Sequence, residues 1–186
     1  MLKASILITN YNNEKYIKEC IESCLRQEYK EFEIIVFDDA STDGSLKIIS
    51  SFRDKRIKII KNSKRKTKYS TLNQIYGLSK AFQKSNGKII FLLDGDDFFK
   101  KNKLKVIIEN YQNKKWSNFI QDIPIYYFTK KHYEHAKELK VKKTKSTIWP
   151  HFFSTSTICV ERNYLRKCFK DLSYSSNKFN RVFFDA

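Results

Sequence analysis

The chain has 186 residues, 41% hydrophobic and 15% aromatic, enough for one domain with a real core. Its 37 Lys and Arg against 20 Asp and Glu give a net charge of +17, and four Gly and two Pro exclude collagen-like and low-complexity classes. The longest strongly apolar stretches, such as Ile89–Leu93, are far too short to cross a bilayer, and no signal-peptide pattern opens the chain, so a cytoplasmic protein is expected.

In chain order, Ala4–Thr9 is an apolar run of strand length. Asn12-Asn13-Glu14 then offers an N-cap with an acid in the first turn. Tyr16, Ile17, Cys20, Ile21, Cys24 and Leu25 recur at helical spacing, which predicts a helix over roughly 13–27. Phe32–Phe37 is apolar nearly throughout, as expected of a strand covered on both faces. It runs into the polar turn Asp38–Gly44, a short helix over Leu46–Phe52 and a third strand at Ile57–Ile60.

After the basic loop Lys61–Ser70, Leu72, Ile75, Tyr76, Leu78 and Phe82 mark another helix, which Asn86-Gly87 is expected to stop. Lys88–Leu93 predicts a fourth strand ending at Asp94-Gly95-Asp96-Asp97, and Leu104–Tyr111 a further helix. This alternation predicts an α/β fold with a Rossmann-like, mostly parallel sheet flanked by helices. The second half is less regular. Phe119–Phe128 is expected to be extended, the Lys-rich stretch a loop or exposed helix, and Ser156–Val160 a strand. No linker separates the halves, so residues 1–186 are read as a single domain.

Cys20 and Cys24 share one helical face and could form half a metal site, but no tight second pair follows, and buried core thiols are expected. The lysine runs suit an acidic partner or a solvated face and do not choose between them.

In an open parallel sheet, ligands bind at the carboxyl ends of the strands. Three such ends carry polar groups here: Thr9-Asn10-Tyr11, Asp38-Asp39 and Asp94–Asp97. The last puts three carboxylates within four residues, an arrangement that suits Mg²⁺ or Mn²⁺ held jointly with substrate phosphates and that also makes a solvated turn. Asp39 can accept hydrogen bonds from a base edge and Tyr11 can stack on its face. Lys64, Arg65, Lys66 and Lys68 can reach a diphosphate.

These residues resemble the family-2 inverting glycosyltransferases, which have the GT-A fold. The resemblance covers residues 3–100 and rests on SILITNYNNEKYIKECIESCLRQEYKEFEIIVFDDASTDGS, on TLNQ, and on the strand IIFLLDGDDFF. It implies that 1–100 is a nucleotide-sugar-binding half and 101–186 an acceptor-side half. Thr9 and Tyr11 would line the base site and Asp39 would meet the base, commonly uracil. Asp94 would contact the sugar-nucleotide, and Asp96, with Asp94, would hold Mn²⁺ or Mg²⁺. Asn73 sits where a helix Asn is usual.

The Gly-rich lead into the third helix is replaced by Lys66-Thr67-Lys68-Tyr69-Ser70, and no Glu-Asp pair or QxxRW-type segment follows. Asp185 stands where related members carry a lone Asp. It is the expected catalytic base, with His132, His135 and His151 as rivals on chemical grounds. A C-terminally truncated chain is expected. The implied function is metal-dependent transfer, with inversion, of a sugar from a UDP-sugar to a glycan or lipid-linked acceptor in cell-surface polysaccharide biosynthesis. The Lys-rich second half, with Trp149, Phe152 and Phe153 nearby, suits either an acceptor at the anionic inner face of a membrane or a solvated charged face. The alternatives are a nucleotidyltransferase working on the same edge and a basic nucleic-acid-binding module. None of the familiar modules of the latter kind is visible, so nucleic acid is not an expected partner.

Overall fold

The computed structural model describes residues 2–122 and 154–174. Strand β1 (Ala4–Asn10) leads through helix α1 (Ile17–Leu25) to β2 (Phe32–Asp38), and α2 (Ser45–Ser51) leads to β3 (Ile57–Lys61). Helix α3 (Ser70–Lys84) precedes β4 (Ile89–Asp94), and α4 (Lys103–Gln112) precedes the short β5 (Phe119–Gln121). A single 3-10 turn at Thr155–Thr157 feeds β6 (Ile158–Glu161), which continues into α5 (Arg162–Tyr174).

The strands form one sheet in the order β3-β2-β1-β4-β6-β5. The first four pair in parallel, and β6 runs antiparallel to both β4 and β5. Central strands need apolar residues on both faces, which is why ASILITN, FEIIVFD and IIFLLD read as nearly unbroken apolar runs. Their side chains alternate. Ile6, Ile8, Ile34, Val36, Phe91 and Leu93 pack under α1, α2 and α4, whereas Leu7, Ile35, Phe37, Ile90 and Leu92 pack under α3 and α5. Each fully buried Ile or Leu contributes about 1.5–3 kcal/mol of burial. Among the described residues, no helix is long and apolar enough to cross a membrane.

Several local expectations are corrected. Asn12-Asn13-Glu14 does not cap α1 with a side chain. The helix begins at Ile17, after a turn in which the Tyr16 and Ile17 amides donate to the Asn13 carbonyl. The Asn12 and Glu14 side chains instead accept from Thr42 N (2.8 Å) and Gly44 N (2.6 Å), tying the β1–α1 loop to the β2–α2 loop. Gly87 does not stop α3 either: the helix ends at Lys84, Ser85 is extended, and Gly87 has no positive φ. Of Phe119–Phe128, only Phe119–Gln121 is strand and 123–128 lie outside the described residues, as does the Lys-rich stretch. Ser156–Val160 divides into the 3-10 turn and β6, and α5 went unpredicted. The thiols behave as expected: all four are free, Cys20, Cys24 and Cys159 are buried, and burial pushes Cys24 and Cys159 up to about 12.

The amino edge of the sheet is held by a buried polar cluster. Glu33 accepts from Ser5 Oγ (2.9 Å), Asn86 N (2.5 Å) and Lys58 Nζ (2.8 Å). Gly87 N donates to Ser5 Oγ at 2.8 Å, and Arg162 donates to Gly87 O (2.5 Å) and Ser85 Oγ (2.7 Å). A Cβ at position 87 would overlap the Ala4 carbonyl carbon and the Ser5 nitrogen, backbone atoms that cannot yield without moving β1. Gly87→Ala is therefore expected to lower unfolding free energy by about 3 kcal/mol, at the upper end of ordinary overpacking, measured as a shift of the urea midpoint; a midpoint equal to the unaltered protein's would contradict this account.

Candidate functional site

The parallel register decides which polar residues share the carboxyl edge. Asn10 pairs with Asp38 and Thr9 with Asp94, so the ends of β1, β2 and β4 stand level. Just beyond them, Thr9, Asn10, Tyr11, Asn13, Asp39, Arg65, Asn73, Gln74, Asp94, Gly95 and Asp96 line, with others, one cavity of about 330 Å³. Seven residues singled out from the sequence are thus brought together: Thr9, Tyr11, Asp39, Arg65, Asn73, Asp94 and Asp96.

Asp38 and Asp39 have different tasks. Asp38 is buried and accepts from Asn10 Nδ2 (2.8 Å), Ser41 N (3.1 Å) and Ser41 Oγ (2.6 Å), so it forms the turn. Asp39 accepts from Asn62 Nδ2 at 2.8 Å and from Arg65 Nε at 3.0 Å. The Arg65 guanidinium also lies 3.8 Å from the Tyr11 ring centre. A planar cation on an aromatic face, hydrogen-bonded to a carboxylate, marks this end as suited to a flat hydrogen-bonding ligand. Between the two aspartates and the helix that follows, Ala40 is held at φ 59°, a left-handed conformation that costs a non-Gly residue about 1 kcal/mol or more.

At the other end, Asp94 accepts from Gln74 Nε2 (2.6 Å) and weakly from Thr9 Oγ1 (3.4 Å), both through Oδ1. Its backbone amide donates to Ser156 Oγ at 3.0 Å. Burial raises the Asp94 pKa to about 6; the charge of Asp97 adds to this, the Gln74 hydrogen bond opposes it, and Asp96 raises it further. Gly95 N donates to Thr9 O at 2.9 Å, and a Cβ at 95 would lie 2.8 Å from Asn10 Oδ1. Glycine is required there by close approach to the end of β1. Asn10 Oδ1 is itself a buried acceptor without a hydrogen-bond partner among the described residues.

The donor set fits a hard divalent cation of limited protein coordination. Asp94 Oδ2 receives no hydrogen bond from the described residues, Asp96 is exposed at the rim, and crowded carboxylates are relieved by a cation. Among the described residues, no three His, Cys, Asp or Glu side chains converge as a closed metal cage. Mg²⁺-type ions need no such cage, since they take one or two carboxylates and complete their shell with phosphate and water.

Several expected contacts lie differently. Lys64, Lys66 and Lys68 do not line the cavity; the Lys66 ammonium sits 5.4 Å from the Tyr76 ring and that of Lys68 5.2 Å from the Tyr69 ring. Arg65, expected at a diphosphate, lies at the Asp39–Tyr11 end. Asn73 lines the cavity but is buried, donating to Thr67 O (2.8 Å) and accepting from Thr67 N (3.0 Å), so it braces the loop before α3. Asp185, the three histidines, Trp149, Phe152 and Phe153 lie outside the described residues. Gln74 and the turn Ser154–Ser156 went unassigned in the sequence. Gln74 stands inside the quoted TLNQ, whereas nothing local marks Ser154, whose hydroxyl donates to Asp97 Oδ2 at 3.2 Å.

Fold and site together define an α/β protein with a carboxylate-lined cavity on the carboxyl edge of a mostly parallel sheet. The profile described as "Glycosyl transferase family 2" matches residues 5–178, and the chain belongs to that family. It is 34% identical over 114 residues to the Methanococcus voltae "Dolichyl N-acetyl-alpha-D-glucosaminyl phosphate 3-beta-D-2,3-diacetamido-2,3-dideoxy-beta-D-glucuronosyltransferase", a match covering 58% of this chain and 33% of that protein. Among solved structures it resembles S. aureus TarS 1-349 in complex with UDP, with TM-score 0.66 and 22% identity over 90% of this chain and 49% of that one. It also resembles the mannosyltransferase PcManGT from Pyrobaculum calidifontis in complex with GDP-Man and Mn²⁺, with TM-score 0.65 and 17% identity over 89% and 46%. The fold is therefore GT-A, and the chain spans about a third of that curated relative's length and half of those solved chains.

The raised Asp94 pKa has a consequence for stability. The metal-free folded chain holds this proton more tightly than the unfolded chain, whose Asp titrates near 3.9. The stabilisation is present below about pH 4 and is lost as pH rises through about 6, by at most about 3 kcal/mol. Asp94→Asn should flatten the fall in chelator-treated protein, giving a higher melting temperature than the unaltered chain at pH 7. Parallel melting curves across pH 4–7 for the two proteins would contradict the assignment.

Proposed function

We propose that this chain binds a nucleoside diphosphate sugar, UDP-linked, along the β2–β1–β4 edge and transfers the sugar with inversion to a glycan or lipid-linked acceptor. The observation that carries the reading is one cavity with Asp39, Tyr11 and Arg65 at one end and Asp94 and Asp96 at the other. Strands β2 and β4 flank β1, so these ends stand about 10 Å apart, two strand spacings. That span suits a ligand with a flat base and a charged diphosphate. Membership of the family and the likeness to nucleotide-bound GT-A structures support the same reading.

In this arrangement Tyr11 stacks on the base, and Asp39 accepts from a base N–H in place of a donor it now holds. Thr9 lines the floor between the two ends. Asp94 and Asp96 orient the sugar-diphosphate and hold Mn²⁺ or Mg²⁺, which when bound offsets charge on the departing diphosphate. Asp185 is proposed to take the acceptor hydroxyl proton as that oxygen attacks the anomeric carbon, which requires hydrogen-bond reach in the complex.

Isothermal titration with UDP, with and without Mn²⁺, tests the binding half. Asp96→Ala should remove the Mn²⁺-dependent part of UDP affinity, and Asp39→Ala should weaken uridine nucleotides by roughly tenfold, the value of one charged hydrogen bond, while sparing free pyrophosphate. Equal losses for UDP and pyrophosphate in Asp39→Ala would limit Asp39 to shaping the turn.

The transfer half has a separate check. Radiolabelled transfer by the longest available chain should fall at least about a hundredfold in Asp185→Asn with UDP affinity unchanged, as expected for loss of general base catalysis; undiminished transfer would remove Asp185 from that role.

A further inference from the structure

Three segments far apart in sequence meet at Asp94. Gln74, on the second turn of α3, donates through Nε2 to Asp94 Oδ1 at 2.6 Å and lies 3.4 Å from Thr155 Oγ1. Ser156, in the turn that carries Thr155, accepts from the Asp94 amide. Lys103 fixes that turn from behind: its side chain, 10% exposed, donates to Ser156 O at 2.8 Å and pairs with Asp122 at 3.0 Å.

The amide orientation of Gln74 is decided by its partner. A carboxylate has no hydrogen to give when ionised, so the nitrogen of Gln74 must face it and the oxygen must point elsewhere. The described residues offer Gln74 Oε1 no donor. They likewise offer none to Asp94 Oδ2. Gln74 lines the cavity beside Asp94, beyond the base end at Asp39 and Tyr11. A cation satisfies Asp94 Oδ2, and a hydroxyl-rich group suits Gln74 Oε1, since each hydroxyl has a proton to donate.

We infer that Gln74 is a positioning residue that holds Asp94 through Oδ1, leaving Oδ2 to the cation, and that its own Oε1 lies against the donor sugar. This rests on the nucleotide-sugar reading above and adds to it the part of the cavity that distinguishes a sugar nucleotide from the bare nucleotide. Gln74 is half-buried and bonds only to other side chains, so its removal leaves the helix and the sheet register in place.

The test compares UDP with UDP-sugars, among them UDP-glucose and UDP-N-acetylglucosamine, by isothermal titration in Mn²⁺ on the whole chain. Gln74→Met keeps the length and removes the amide; Gln74→Asn keeps the amide on a shorter stem. Gln74→Met is expected to weaken the best-bound UDP-sugar about tenfold more than it weakens UDP, with Gln74→Asn between Met and the unaltered chain. A merely structural role would weaken UDP and UDP-sugar together. That result, or unchanged affinity for both in Gln74→Met, overturns the assignment of Gln74 while leaving the nucleotide-sugar reading intact. Failure of the unaltered chain to bind any uridine nucleotide overturns that reading, and this assignment with it.

Discussion

The parallel register of β1 between β2 and β4 is the constraint on which the rest of the site depends. Because Thr9 is level with Asp94 and Asn10 with Asp38, three strands end on one line, and every residue just past those ends opens onto the same space. A slip of one residue in β1 would turn Ile6 and Ile8 toward α3 and Leu7 toward α1, exchanging the contents of the two apolar layers. The hydrophobic layers therefore hold the polar edge in alignment. At the edge itself, the Asn10 amide bridges to Asp38 and Ser41, and Gly95 lets β4 leave the sheet within hydrogen-bond distance of Thr9.

The two edges of the sheet are opposites in their polar chemistry. At the amino edge the buried Glu33 carboxylate is surrounded by donors from β1, β3 and the segment before β4. Burial pushes its pKa up, but the bonds from Lys58, Asn86, Ser5 and the nearby Lys3 together pull it below the usual range. At the carboxyl edge Asp94 is pushed up, Asn10 Oδ1 finds no donor among the described residues and Ala40 is left-handed. Unsatisfied and strained groups are destabilising where they stand, and here they fall on the edge proposed for the ligand. The satisfied edge anchors the sheet that carries the strained one.

The second half of the chain contributes through a small contact region. Strand β6 adds to β4 in the antiparallel sense, and the turn before it reaches Asp94 and Asp97 with serine hydroxyls. Lys103 joins Asp122 and Ser156, residues 34 apart, so the chain leaves and rejoins the sheet at one place beside the carboxylates. A single half-buried lysine thereby links α4, the end of β5 and the site.

Much of the fold could be read directly from local pattern. Unbroken apolar runs marked the three central strands because both their faces are covered, and helical spacing marked α1, α3 and α4 because each buries one stripe. The strand-end residues Thr9, Tyr11, Asp39, Asp94 and Asp96 were legible for the same reason, since an α/β order alone places such ends together. Pattern failed where a residue's partner is remote. Gly87 looked like a helix stop but is required by the backbone of Ala4 and Ser5; Asn12 and Glu14 looked like caps but bind a loop 30 residues away. Helix α5 was not read from the sequence, although Leu165, Cys168 and Phe169 stand at helical spacing and pack together against the layer under α3. Arg65 was visible as a cation, yet only the fold set it on Asp39 and Tyr11, and only the fold brought Gln74, Thr155 and Ser156 to Asp94. Sequence determined the elements and the kinds of atoms at their ends, because periodicity and residue chemistry are local. Tertiary structure decided which of those atoms meet, because a hydrogen bond between residues 20 to 81 positions apart is fixed by how strands and helices cross in space.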